Sequence, residues 1–173
     1  HLRIVILIAL SFYLQAGHLN LLLAQKATKL DTVQVTVDNH KMSMYVSGTG
    51  KYSVVLEAGG SSNHRCYRTI DTAIAKITRV ISYDRPGYLA SEKCDKTRDA
   101  ITIAKELKEG LAKGGYPPPY ILVGWSMGGS FAKVFCGLYP ADVSGLVLLD
   151  PCPEDFYARM LEEHPELMKE DSI

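Results

Sequence analysis

The segment Gly124-Trp125-Ser126-Met127-Gly128-Gly129 is the part of this sequence best suited to covalent chemistry. It follows the apolar run of residues 120–123 (YILV) and opens an amphipathic helical segment over residues 127–139. A serine on so tight a strand-to-helix turn takes a strained backbone conformation, with its hydroxyl lifted clear of the sheet. Side chains two positions before and after it would collide with neighbouring backbone, which explains glycine at 124 and 128. The helix behind Ser126 aims N–H groups and a positive dipole end at any oxyanion that forms. A glycine-rich turn needed only for packing is the plainer alternative. A hydroxyl is also a poor nucleophile without a base, usually a histidine oriented by a carboxylate. The only histidine after Ser126 is His164, in an acidic helical stretch interrupted by Pro165. His64 sits near a glycine-containing loop and reads as an exposed loop histidine. His1, His18 and His40 have no supporting motif.

The elements that must hold this turn follow from periodicity. Residues 32–37 (TVQVTV) and 41–47 (KMSMYVS) alternate, and Asp38-Asn39-His40 joins them, which predicts a β-hairpin. Residues 52–57, 79–83, 120–123 and 145–149 are compact apolar runs, as expected for strands buried on both faces of a parallel sheet. Helices are predicted over about 67–77, 97–113 and 127–139. The second places Ala100, Ile103, Ala104, Leu107 and Leu111 on one face. Pro117-Pro118-Pro119 stops that helix and hands the chain to the next strand. The expected fold is α/β: a doubly wound, mostly parallel sheet with an N-terminal antiparallel hairpin.

Further segments extend the pattern. Residues 54–60 (VVLEAGG), residues 83–88 (YDRPGY), Ala132 with Tyr139-Pro140, and residues 143–150 (VSGLVLLD) occur in the order seen in the α/β-hydrolase superfamily. From about Tyr52 to Pro153 the chain resembles that family. The resemblance implies Ser126 as nucleophile, in the turn known there as the nucleophile elbow. It implies the backbone N–H groups of Met127 and Gly60 as oxyanion hole, with Gly59 instead if the loop register differs by one. Trp125 departs from the His or Gln often found before the nucleophile, and its indole either narrows the pocket or simply packs. Asp84 and Arg85 read as loop-fixing residues, Asp84 through backbone groups of its own turn. A minority of the family places the acid at the position of Asp150, most place it after a seventh strand, and the histidine follows an eighth. No seventh or eighth strand is visible, so the chain reads as truncated before the C-terminal strands, with no catalytic histidine identifiable in it. The resemblance implies hydrolysis of carboxylic esters or related acyl compounds through an acyl-enzyme on Ser126, without cofactor or metal. A serine at the elbow argues against epoxide and haloalkane hydrolysis, which the fold performs with a carboxylate nucleophile. The alternative is a non-catalytic binding protein, or an inactive fragment.

Composition bounds the remaining possibilities. Nineteen basic and nineteen acidic side chains cancel and no basic run appears, which argues against a nucleic-acid partner. Arg3 followed by the apolar residues 4–14 reads as a leader over residues 1–24, cleaved after Ala24 or, as second choice, after Ala16. Export to the periplasm or medium is then expected; the alternatives are an uncleaved anchor, which would be the only membrane contact, and a buried first helix. Residues 25–31 read as a linker, 32–153 as the core, and 154–173 as the start of a cap or helical segment. The four cysteines show no zinc spacing, and export would permit a disulfide, with Cys66 and Cys94 the preferred pair. Cys136 reads as a buried, inert thiol. If the sheet stops at residues 145–149, their bare apolar edge is expected to make the 173-residue chain molten or poorly soluble and strongly ANS-binding.

Overall fold

The computed structural model describes residues 29–163. Residues 1–24, expected to be a leader, and His164 lie outside the described residues. Six strands form one sheet: β1 (Asp31–Val37), β2 (His40–Ser47), β3 (Ser53–Glu57), β4 (Arg79–Tyr83), β5 (Tyr120–Trp125) and β6 (Val143–Leu149). Their order across the sheet is β1-β2-β4-β3-β5-β6. The pairs β1/β2 and β2/β4 are antiparallel, and β4/β3, β3/β5 and β5/β6 are parallel. The predicted doubly wound sheet with its leading hairpin is therefore observed. The hairpin turn is two residues long, shorter than expected, because Asp38 and Asn39 both take positive φ (45° and 66°). Asp and Asn tolerate that region, and such a turn matches the right-handed twist of the paired strands.

Alternating side chains along the central strands feed two cores. Val55, Ile81 and Leu122 face one side with Met42 and Met44, under α2 (Ala100–Lys113) and α3 (Met127–Leu138). Val54, Leu56, Val80 and Val123 face the other, covered by Tyr67 of a 3-10 turn (His64–Tyr67) and by α1 (Arg68–Ile74) with Ala75. Asp99 caps α2, accepting from the Thr102 N–H at 2.9 Å. Ile103, Ala104, Leu107 and Leu111 are buried as their spacing predicts. The last helix, α4 (Phe156–Glu163), follows β6. Among the described residues β6 lies at the sheet edge, with Leu146 38% and Val147 44% exposed, in contrast to the fully buried β3. No helix among the described residues is long and apolar enough to cross a membrane. All four cysteines are free, so the expected Cys66–Cys94 pairing is not formed. Cys94 turns instead toward Arg98 and Glu106. Cys136 is partly buried against the larger core, and burial pushes its thiol up.

Two phenols report on this packing. Tyr45 and Tyr120 are pushed up to about 12, Tyr120 mainly by burial and Tyr45 by burial together with the bond it donates to the Asp84 carboxylate. In the unfolded chain tyrosine titrates near ~10, so the folded state binds more protons between the two values. Stability should therefore be intact below pH ~10 and fall as pH rises toward 12. Phenolate absorbance followed alongside circular dichroism checks this. Normal titration of all phenols near pH ~10 without loss of structure would contradict it.

Candidate active site

Strand β5 runs directly into α3 through Ser126, whose φ of 54° and ψ of −125° fall where a side chain is strained. Backbone bonds hold it there. The Ser126 N–H donates to Leu149 O at 3.0 Å, and the Ser126 carbonyl accepts from Gly129 N–H at 2.9 Å and Cys152 N–H at 3.0 Å. The turn is thus tied to the end of β6 and to the loop beyond it. The flanking glycines are required by contact. A Cβ on Gly124 would lie 2.7 Å from the Gly129 Cα, and one on Gly128 would strike the carbonyl oxygens of Glu57 and Ala58. Because those atoms are backbone, Gly128→Ala should cost about 3 kcal/mol, near the upper end for overpacking. A thermal melt checks this, and an unchanged Tm would show that the β3 loop can yield.

The loop after β3 lies against this turn. Gly59 packs on the Trp125 indole, and a Cβ there would lie 3.0 Å from the ring and 3.4 Å from the Ser126 Cβ. A Cβ on Gly60 would meet the Met127 thioether, so Gly60 and Met127 are direct neighbours. Arg85 fixes this loop from below. Its Nη1 donates to Glu57 Oε1 and to Ala58 O, both at 2.7 Å, and its Nη2 donates to Gly59 O at 2.5 Å and Ser62 O at 3.3 Å. The guanidinium lies between the Phe131 and Tyr88 rings, 5.3 and 5.5 Å from their centroids. Glu57, fully buried, also accepts from the Tyr83 hydroxyl. Burial pushes the Glu57 carboxyl up, against the opposing pull of Arg85 and Tyr83. The loop-fixing role expected of Arg85 is thus observed, and its partner Glu57 is a residue that sequence reasoning passed over.

Asp84 fixes the same loop by another route. It does not bond within its own turn as expected. Its carboxylate accepts from the Tyr45 hydroxyl at 2.8 Å and the His64 N–H at 3.1 Å, and lies 2.8 Å from His64 Nδ1. His64 is correspondingly not an exposed loop residue. Its side chain is 12% exposed and stacks on Tyr45, with ring centroids 3.5 Å apart. A buried carboxylate within reach of the ring explains the difference.

A cavity of about 710 Å³ opens beside the turn, lined by Gly60, Met127, Phe131, Val134 and Phe156, with Arg98, just ahead of α2, also on its wall. Ser126 lies next to its lining residues Gly60 and Met127 and is not itself part of the lining. A serine on a strained turn, a glycine loop against it and a largely apolar cavity at the strand ends form one constellation. The sequence pattern that describes the alpha/beta hydrolase fold matches residues 52–170. The chain belongs to the alpha/beta hydrolase fold family.

Its relatives within that family are varied. Over 118 residues it is 30% identical to the uncharacterized protein YbdG of Bacillus subtilis (strain 168), covering 67% of this chain and 36% of that protein. Over 110 residues it is 32% identical to the pimeloyl-[acyl-carrier protein] methyl ester esterase of Hamiltonella defensa, covering 62% of this chain and 40% of that enzyme. The solved structure of the epoxide hydrolase CorEH superposes with a TM-score of 0.66 at 27% identity, covering 71% of this chain and 43% of that one. The chain spans well under half the length of the curated relatives it matches.

In the alpha/beta hydrolase fold as this chain builds it, Asp150 leaves β6 beside the turn. The register pairs Trp125 with Leu149, so Ser126 and Asp150 follow at adjacent strand ends. Asp150 is exposed and also takes a positive φ (44°). His164 lies outside the described residues.

Proposed function

We propose that the intact protein is a serine hydrolase of carboxylic esters or related acyl compounds, acting through an acyl-enzyme on Ser126. The observation that carries this reading is the Ser126 backbone at φ 54°. It is held by three backbone bonds and flanked by glycines whose replacement would strike backbone. That much constraint around one hydroxyl serves presentation, since a serine gains nothing in packing there. In the proposed reaction Ser126 Oγ attacks the acyl carbonyl as a base takes its proton. The carbonyl oxygen then becomes an oxyanion beside the N–H groups of Met127 and Gly60. Each such donor is worth about 3–4 kcal/mol in the transition state. Collapse expels the alcohol, which recovers the proton, and water repeats the sequence on the acyl-enzyme. Arg85 and Glu57 act as positioning residues, holding the Gly59–Gly60 loop at the turn.

The methyl ester esterase among the relatives supports an ester substrate, and the epoxide hydrolase marks the competing chemistry. A hydroxyl nucleophile favours the first. Opening an epoxide or displacing halide with serine would leave an ether, which water does not cleave under these conditions. An acyl-serine hydrolyses readily. Assay of the intact protein with p-nitrophenyl esters, an epoxide and a chloroalkane separates the readings. Turnover of the esters alone is expected. Diol or halide release without ester turnover would overturn the proposal.

A further inference from the structure

Away from the active-site turn, three side chains from β2, the 84–99 segment and α2 converge in the protein interior. His40 opens β2 and is only 5% exposed. Its Nδ1 lies 3.4 Å from Asp38 O, a carbonyl that can only accept, and a neutral ring with its proton on Nδ1 presents its lone pair at Nε2. That Nε2 is the one buried side-chain N or O atom without a hydrogen-bond partner among the described residues. It looks across 4.0 Å at Oε1 of Glu106, itself 2% exposed, and the Cys94 Sγ lies 3.8 Å from the same oxygen. Imidazole nitrogen, sulfur and carboxylate oxygen all fall within 4.8 Å of one another.

We propose that His40, Cys94 and Glu106 form a binding site for one zinc-class divalent ion, entered when Arg98 swings aside. Zinc bonds of roughly 2.0–2.3 Å in a tetrahedron separate the ligand atoms by roughly 3.3–3.8 Å, so small side-chain movements close the set. A nitrogen, a sulfur and an oxygen donor suit Zn²⁺ or Co²⁺ and not Mg²⁺ or Ca²⁺. Three protein ligands leave a fourth position for water.

The guanidinium of Arg98 is the resident cation. Its Nη1 lies 3.1 Å from the Cys94 Sγ and 2.8 Å from Glu106 Oε1, and its Nη2 lies 2.7 Å from Oε2. It satisfies the carboxylate and the sulfur but leaves His40 Nε2 unused. A buried imidazole nitrogen without a hydrogen bond, within 4.8 Å of a sulfur and a carboxylate oxygen, is a donor set that the Arg98 pair does not use. With 29% of its side chain exposed, on the cavity wall, Arg98 has a path out. Lys96, ion-paired with Asp38, is the other cation nearby. Binding converts the Cys94 thiol to a thiolate, releases one proton and leaves Arg98 facing the cavity.

Cobalt titration of the intact, reduced protein tests this through the thiolate-to-cobalt charge-transfer absorbance. The expected result is one saturating equivalent, reversed by Zn²⁺, with the band lost in Cys94→Ser. Affinity should drop at least about tenfold in His40→Gln and rise about tenfold in Arg98→Ala. Cys94→Ser is the conservative variant and keeps the ion pair, so its fold can be verified by circular dichroism. Absence of the band in the wild-type protein under a large excess of Co²⁺ overturns the proposal. So does a band of equal strength in Cys94→Ser, which would assign it to Cys66, Cys136 or Cys152.

Discussion

Ser126→Ala in the intact protein should lower kcat for ester hydrolysis by about 10⁶-fold, the scale seen when a serine hydrolase loses its nucleophile. KM should change little, because the cavity lining at Gly60, Phe131, Val134 and Phe156 is untouched. The backbone strain at φ 54° comes from the Cβ, and alanine keeps it. Alanine should therefore leave Tm within a degree or so, whereas Ser126→Gly should raise stability by roughly 1–3 kcal/mol, the strain typical of a residue held in a sparsely populated backbone region. The pair of variants separates the two roles of the position. Both should be inactive, and only glycine should be more stable. Turnover surviving in either would remove Ser126 from the mechanism.

The second large effect is expected beneath the glycine loop. Arg85→Ala should cost about 3–5 kcal/mol, because it leaves Glu57 buried without its counter-charge and frees three carbonyls of residues 58–62. The loss should depend on pH. Burial already pushes the Glu57 carboxyl up, and without Arg85 it would take up a proton sooner than stay charged. A carboxyl raised in the folded state stabilises most below its unfolded value of about 4.3, and that contribution is lost as pH rises through the folded value. The deficit of Arg85→Ala should accordingly narrow as pH falls toward ~4. Replacing both partners by apolar residues, as in Glu57→Leu/Arg85→Met, should be milder than Arg85→Ala alone. Urea melts across pH check all three statements, and a pH-independent loss below 1 kcal/mol would show that the pair is solvated.

These two positions differ in how far sequence could reach them. Ser126 was legible because one local segment carries its whole geometry: an apolar strand, two glycines and the start of a helix. The hairpin of β1 and β2, the central strands and the inner face of α2 were legible for the same reason, each being a short periodic pattern. Glu57 was not, since a lone carboxylate at the end of VVLE looks like a strand terminus meeting water. Only the adjacency of β3 and β4 brings Arg85 beneath it. His64 looked exposed because the Asp84 that buries it arrives from another strand end, 20 residues on. Glu106 sits on the packed side of α2, where periodicity favours an apolar residue, and His40 and Cys94 meet it only through the tertiary fold. The ends of β5 and β6 were set by pairing. A register shift at Tyr120/Ile121 carries Val143 and Ser144 into the sheet ahead of Gly145.

The central claim, that the strained serine is an activated nucleophile, is tested most directly by fluorophosphonate labelling of the intact protein followed by peptide mapping. The account predicts one phosphonyl adduct per chain, located on Ser126, formed within minutes at neutral pH and absent from Ser126→Ala. An intact, folded protein that takes up no label, or that carries it on another residue, would contradict it.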